Sequence, residues 1–294
     1  MVRLIFISIL ITIVSCTKQQ TNEKRTSKKD TPFESQQSLG LVGGELREAS
    51  GLVASIINPG YLWTHNDSGN SASIYLLNEK GQVVMTCKLK NTVNRDWEDI
   101  TIGPGPEEGI NYIYVADIGD NNAMYSYKIL YRIKEPILTS NKIEVNEVDK
   151  LVFELPDGVR DAEAIMIDPI TRYFYISSKR EHSVRLYEIK FPFISDTLRA
   201  VEVAKLPFTS IVAANISADG REVLMKNYKE IYYWKRDSLE SIPSLLKKDP
   251  LQLNYKSEPQ GEAIAWKRDG SGFYTLSESE KGDGGNLYFY KRKQ

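Results

Sequence analysis

The chain is poor in the side chains that soft metals and nucleophilic catalysis need. Of its 294 residues only two are His, His65 and His182, and two are Cys, Cys16 and Cys87. A zinc site built on Cys and His is therefore disfavoured. Neither histidine accompanies a Gly-x-Ser-x-Gly turn, so a serine-hydrolase triad has little support. Charge of one sign is also lacking: 38 Lys and Arg face 39 Asp and Glu, for a net charge of −1. With no basic run interleaved with aromatics, the balance argues against nucleic acid as a partner. Helical periodicity between strand-like runs is absent, which argues against a TIM barrel.

The first residues do carry a signal. Arg3 precedes an apolar-rich run from Leu4 to Ile11, followed by Ile13-Val14-Ser15-Cys16. A charged start and a short apolar core ending in small residues make a secretory signal, too short to span a bilayer as a mature helix. The Ile-Val-Ser-Cys ending resembles the bacterial lipoprotein signal. The resemblance implies cleavage before Cys16 and acylation of that residue, and so attachment to a membrane at about 0.8 kcal/mol per buried methylene. Thr17 and Lys18 follow in place of an Asp, which by the same resemblance implies the outer membrane of a Gram-negative cell envelope. An ordinary signal peptide with an incidental Cys is the alternative. With Cys16 acylated, Cys87 has no partner for a disulfide. It lies in the strand-like run Val84 to Leu89 and reads as a small buried hydrophobe. Residues 17–38 are almost all polar and read as a disordered tether reaching roughly 25 Å, leaving residues 39–294 as one domain.

That domain repeats a phrase: Ile or Leu, Tyr, any residue, a large apolar residue, then Lys or Asn. It occurs around Tyr75, Tyr131, Tyr187, Tyr232 and Tyr288, at spacings of 56, 56, 45 and 56 residues. Such a period suits one four-stranded propeller blade. The predicted fold class is all-β, a β-propeller of five blades, with six blades and an open sandwich as alternatives. The last repeat ends one strand short, so Leu39 to Leu46 is expected to close the ring as its outer strand. A short helix is expected within Ser238 to Lys248, ahead of a strand at Leu251 to Tyr255 in the fourth repeat.

Each innermost strand opens on a polar phrase: Glu48-Ala49-Ser50-Gly51-Leu52, Asp96-Trp97-Glu98-Asp99-Ile100, Asp161-Ala162-Glu163-Ala164-Ile165, Val212-Ala213-Ala214-Asn215-Ile216 and Gln260-Gly261-Glu262-Ala263-Ile264. Aligned on the fifth residue, Glu98, Glu163 and Glu262 are equivalent, with Ser50 and Ala214 in the other two repeats. The second strands also end on polar residues: His65-Asn66-Asp67, Asp117 with Asp120 and Asn121, Lys179, and Glu278. In an antiparallel sheet the start of one strand and the end of the next share an edge. Both sets, with Asp96 and Asp161, are thus expected at one mouth of the ring.

Two carboxylates about 4 Å apart repel by roughly 1 kcal/mol in water and about 4 at a partly shielded site. Converging carboxylates therefore call for a cation, a shared proton or a basic neighbour. Oxygen donors suit Ca²⁺, with Glu98, Glu163 and Glu262 as the candidate ligands. Arg160 and Lys179 are the competing neutralisers. His65 with Asp67 is a candidate oriented base, against a plain hydrogen-bonding role for His65.

The phrases Trp63 to Gly69, Asp96 to Ile100, Tyr114 to Asn121, Arg160 to Ala164 and Gln260 to Ile264 together resemble a bacterial family of uncharacterised secreted and lipid-anchored propellers. More loosely, the Glu-Ala-Ile phrases are similar to those of phytase-like propellers, and the polar mouth to that of calcium-dependent lactonases. That similarity implies Ca²⁺ and ester or phosphoester hydrolysis. The resulting expectation is a lipid-anchored propeller whose acidic mouth binds a small molecule, glycan or protein. A Ca²⁺-dependent hydrolase and a purely structural acidic ring are the alternatives.

Overall fold

The computed structural model describes residues 31–193, 197–238, 240–278 and 285–294. The expected signal peptide, Cys16 and residues 17–30 of the expected tether lie outside the described residues.

Strand follows strand, as the short alternating runs bounded by Gly, Asn and Asp predict. β1 (Gln37–Val42), β2 (Ala49–Ala54), β3 (Tyr61–Asn66), β4 (Ser73–Asn78) and β5 (Val83–Leu89) lead into β6 (Trp97–Pro104), β7 (Asn111–Asp117), β8 (Lys128–Lys134), β9 (Lys142–Val145) and β10 (Asp149–Glu154). Next come β11 (Ala162–Ile167), β12 (Phe174–Ser178), β13 (Val184–Ile189), β14 (Thr197–Leu206), β15 (Ile211–Ile216), β16 (Glu222–Asn227) and β17 (Ile231–Lys235). After α1 (Ile242–Leu246), the chain closes with β18 (Leu251–Gln252), β19 (Ala263–Trp266), β20 (Gly272–Leu276) and β21 (Gly285–Lys291). The repeated tyrosines fall on β4, β8, β13, β17 and β21, the third strand of each repeat.

The sheet orders are β2-β3-β4-β5-β9, β15-β16-β17-β18, β1-β21-β20-β19, and an eight-stranded sheet β6-β7-β8-β10-β14-β13-β12-β11. The eight-stranded sheet consists of two antiparallel halves joined where β10 runs parallel to β14. The strands β2, β6, β11, β15 and β19 neighbour one another in a closed circuit, β19 returning to β2. They are buried on consecutive residues, as strands covered on both faces must be. Separate apolar clusters fill the seams. Trp63 and Trp97 sit in one, Tyr114 and Phe174 in another, Met166 and Trp234 in a third. Leu52 packs with Leu276, and Leu224 with Phe273, in the remaining two.

β1 pairs antiparallel with β21, so the N-terminal strand supplies the outer edge of the last sheet. It starts at Gln37 and ends at Val42, earlier than the Leu39 to Leu46 expected. The ordered chain begins earlier still. Phe33, only 3% exposed, packs on Tyr233, Trp266 and Phe273 at ring-centroid distances of 5.7, 5.8 and 5.0 Å. Residues 31–38 are thus part of the domain and not of a tether. The reason is tertiary: one aromatic in a polar run finds a pocket built by residues some 200 positions away.

Two further differences arise from packing. β9, not anticipated, adds to the edge of the first sheet parallel to β5, covering what would be a free strand edge. The fourth strand of the fourth repeat shrinks to Leu251–Gln252, which still pairs with β17, and α1 packs beside β17 and β14 ahead of it. At the end of the ring away from the acidic phrases, Arg236 forks onto both oxygens of Asp168 at 2.9 and 3.1 Å. Glu135 there accepts from Ser55, the amides of Ile56 and Ile57, and the Trp63 indole.

Candidate functional site

The innermost strands do not run straight to their mouth ends. Register slips by one residue between Ser50 and Leu52, Trp97 and Asp99, Ala162 and Ala164, and Ile211 and Ala213. The extra residues are Gly51, Glu98, Glu163 and Val212. A bulge of this kind turns a side chain out of the alternating pattern. Here it turns two glutamates out of line with their neighbours, although both stay buried. Glu262, just ahead of β19, completes the set. The sequence alignment of the first and fourth repeats is corrected by this register: the positions equivalent to Glu98 are Gly51 and Val212, in place of Ser50 and Ala214. An ungapped comparison of phrases cannot see a bulge. Gly51 has φ +68°, and a Cβ there would lie 2.7 Å from His65 Nε2, which accounts for the missing side chain. Ser50 instead donates its hydroxyl to the Glu98 carbonyl at 2.6 Å, tying two inner strands together.

The carboxylates do converge. Asp67, Glu262 and Glu278 form one group, Asp67, Asp96 and Glu98 a second, and Glu98, Asp161 and Glu163 a third, each with oxygens within 4.8 Å of one another. Asp67 and Glu98 link the groups into one acidic rim. The expected set Glu98, Glu163 and Glu262 is divided between groups. Burial dominates the electrostatics. It pushes Asp67 up to about 6, Glu278 up to about 7 with help from Glu262, and Glu163 up to about 8 against the pull of Lys179. Glu98 is held well above the usual carboxylate range, first by burial and then by Glu163, with which it shares a hydrogen bond. Asp96 is raised by burial and by Asp161.

Basic and hydroxyl groups answer part of this charge. Lys179 Nζ is 2.6 Å from Glu163 Oε1 and lies over the Tyr228 ring, whose hydroxyl donates to Glu262. Arg180 Nε is 2.6 Å from Asp161 Oδ2, and its fork also reaches the exposed Asn121. Among the described residues no Lys or Arg forms an ion pair with Asp67, Asp96 or Glu98. Arg160, a proposed neutraliser, pairs instead with Asp157 and Glu181.

Several expected mouth residues have structural partners. His65 is fully buried, its Nδ1 3.0 Å from the Asn66 carbonyl and its ring edge-on to Trp97. Burial pushes it down to about 4, so it stays neutral, and it forms no pair with Asp67. Asn66 holds the turn before β2, donating to the Glu45 carbonyl and accepting from the Glu48 amide. Asp117 accepts from Arg95 and from the Asp96 amide, each at 3.2 Å. Asp120 caps its own loop through the amides of Met124 and Tyr125 and the ammonium of Lys128; these outweigh its burial and hold it below the usual carboxylate range. Burial pushes the Cys87 thiol up to about 12, as suits an inert core residue.

Two residues were missed. Gly119 is a close approach: a Cβ there would stand 2.0 Å from Glu98 Oε1 and 2.6 Å from Asp96 Oδ2. Asp99, fully buried, accepts from the amides of Ile100 at 2.8 Å and Ile165 at 3.0 Å, bridging neighbouring inner strands. Both sit inside phrases already singled out for their acids, and only the pairing register separates their roles.

No family model and no curated protein matches the chain. Solved structures do. The PQQ-bound aldose sugar dehydrogenase of Streptomyces coelicolor superposes with a TM-score of 0.51 at 12% identity, over 88% of this chain and 98% of that one. A gluconolactonase of Xanthomonas campestris does so with a TM-score of 0.51 at 8% identity, over 88% and 89%. The fold is propeller-like. In a propeller-like ring the inner strands line an axis, and here the bulged glutamates and the ends of the second strands share one of its openings. At these identities the likeness extends to the fold alone.

Proposed function

We propose that the protein is a five-bladed propeller, held at the cell envelope by an acylated Cys16, whose acidic mouth binds a small ligand with the help of a divalent cation. The circuit of β2, β6, β11, β15 and β19 supports the blade count, with β1 completing the last blade. The signal-like first residues support the anchor. The observation that carries the function is Asp67, which belongs to two carboxylate groups and has no basic partner among the described residues.

The donors fit a hard cation. Asp67, Asp96 and Glu98 offer only carboxylate oxygens, and the bare Gly119 lets Glu98 and Asp96 lie directly against the backbone of the loop after β7. Such a set suits Ca²⁺. A bound ion would neutralise the rim and polarise an oxygen of the ligand. Lys179 keeps Glu163 oriented, and Tyr228 does the same for Glu262. Burial of Glu98 and Glu163 leaves little room for water around them.

A hydrolase is the second reading, favoured by one observation. Burial and the neighbouring Glu163 hold the Glu98 carboxyl well above the usual carboxylate range, and a buried carboxyl group so raised beside a second one can serve as a general acid. The cation would then fall to Asp67, Glu262 and Glu278.

Thermal unfolding of the chelator-treated protein with and without CaCl₂ tests the first reading. Calcium at about 100 times its Kd is expected to stabilise by about 2.7 kcal/mol, and Asp67→Asn is expected to remove the effect. No shift in the wild type sinks it, and the acidic ring is then structural. The similar structures make sugar lactones the first esters to try, and turnover that survives Glu98→Gln sinks the hydrolase. Retention of Cys16→Ser in the membrane fraction would dispose of the anchor.

A further inference from the structure

A second cavity lies beside the mouth, on the face of the first sheet below the turn from β1 to β2. Its volume is about 790 Å³, within the range of small-molecule sites. The register makes its floor. Ser73 faces Lys88 and Tyr75 faces Thr86 across β4 and β5, and Thr86 in turn faces Lys142 of β9. Residues two apart on a strand share a face, so these side chains all point into the cavity, and Arg47 from the β1–β2 turn stands over them.

The charges do not balance. Lys90 holds Glu144 at 2.7 Å, while Glu45 accepts from the Thr86 hydroxyl at 3.3 Å and has Lys142 at 3.8 Å. Arg47 and Lys88 are left without an ion pair among the described residues, and both are exposed. Beneath them the buried floor is neutral and rich in hydroxyls, with Ser73 and Tyr75 at 4% and 3% exposure. Arg47, and Lys88 whose charge also reaches Glu144, stand above hydroxyl donors and acceptors, and together they complement a ligand carrying a compact negative charge on a polyhydroxylated body. The mouth has the opposite sign, so the two sites select different chemistry.

We propose that this cleft is a second ligand site, which takes a small polyhydroxylated anion of the sugar-acid or sugar-phosphate class. Arg47 and Lys88 grip the anionic group, and Tyr75, Ser73 and Thr86 face the hydroxyls. Nothing in this assignment depends on a cation at the mouth.

Calorimetric titration of the whole protein with D-glucuronate and glucose 6-phosphate tests it, with glucose and inorganic phosphate as probes that each lack one half of the ligand. At least one of the first two is expected to bind saturably and more tightly than glucose. Which of them binds tells a carboxylate from a phosphate. Arg47→Gln or Lys88→Gln should weaken that binding at least tenfold, and Asp67→Asn at the mouth should leave it unchanged. Both cations are exposed, so these variants should fold as the wild type does, which their thermal unfolding checks. Absence of saturable binding by either anionic sugar overturns the proposal, as does glucose binding equally well. Inorganic phosphate matching glucose 6-phosphate overturns the sugar assignment. Loss of binding in Asp67→Asn with none in Arg47→Gln would place the ligand in the mouth and end the case for a second site.

Discussion

Lys179 Nζ stands 2.6 Å from Glu163 Oε1, and it is the one ion-pair partner of the three mouth glutamates Glu98, Glu163 and Glu262 among the described residues. Glu163 is buried and Lys179 mostly so, at 2% and 14% exposure. Removing one partner of such a pair strands the other charge, at a cost of about 3 kcal/mol. Lys179→Met is therefore expected to destabilise most at about pH 9 and above, where Glu163, raised to about 8, is ionised, and by less at about pH 6, where it holds its proton. Urea unfolding at the two pH values measures it. Equal losses at both would mean that the pair contributes nothing electrostatic.

Gly119→Ala puts a methyl group where Glu98 Oε1 and Asp96 Oδ2 now lie. Either the loop after β7 or the two carboxylates must move, at about 1–3 kcal/mol for overpacking. Calcium stabilisation should fall with it, because both displaced groups are proposed ligands. A variant that folds and still responds fully to calcium would remove Asp96 and Glu98 from the ligand set.

Glu278 carries the pH prediction. Burial first and Glu262 second raise it to about 7 in the folded protein, against a usual value near 4.3 when unfolded. The folded state therefore holds the proton more tightly, and its stability relative to a neutral side chain is lost as pH rises from about 4 through 7. Glu278→Gln should match the wild type at pH 4 and exceed it above pH 7. Glu278 is only 9% exposed, so the excess should be about 1–3 kcal/mol. Guanidinium unfolding across that range, in chelator, decides it. A difference that shrinks with rising pH would reverse the sign of the assigned interaction.

Far from the mouth, the bidentate pair of Arg236 and Asp168 is almost wholly buried, at 5% and 0% exposure. Arg236→Met is expected to cost about 3–5 kcal/mol while leaving calcium affinity unchanged. Calorimetry on the folded fraction separates the two effects. Weakened calcium binding in this variant would mean that the mouth depends on the whole ring and not on local geometry.

Much of this was legible in the chain. The tyrosine repeat and the consecutive apolar runs announce strands covered on both faces, and the shared edge of antiparallel strands brings Asp67, Asp96, Asp161 and Glu278 to one opening. What could not be read is register. A one-residue bulge exchanges Ser50 for Gly51 and Ala214 for Val212 at the key position, and no local property of those residues announces it. His65 and Asp120 looked available because their partners are backbone groups and, for Asp120, the buried Lys128 ammonium, which composition cannot reveal. Phe33 looked stray because its pocket is assembled by the other end of the chain.

That assembly has a topological consequence. Glu34 donates to the Lys291 carbonyl at 2.8 Å, and Lys293 to the Pro32 carbonyl at 2.9 Å, so the two ends of the folded domain run side by side in one sheet. A circle of repeats stitched in this way has no mandatory starting point. A few added residues could splice residue 294 to residue 31, and the chain could be cut afresh in the surface turn at Asn91. Such a circular permutant should still fold, and it would carry the opening and its carboxylates unchanged while presenting its free ends from a different blade.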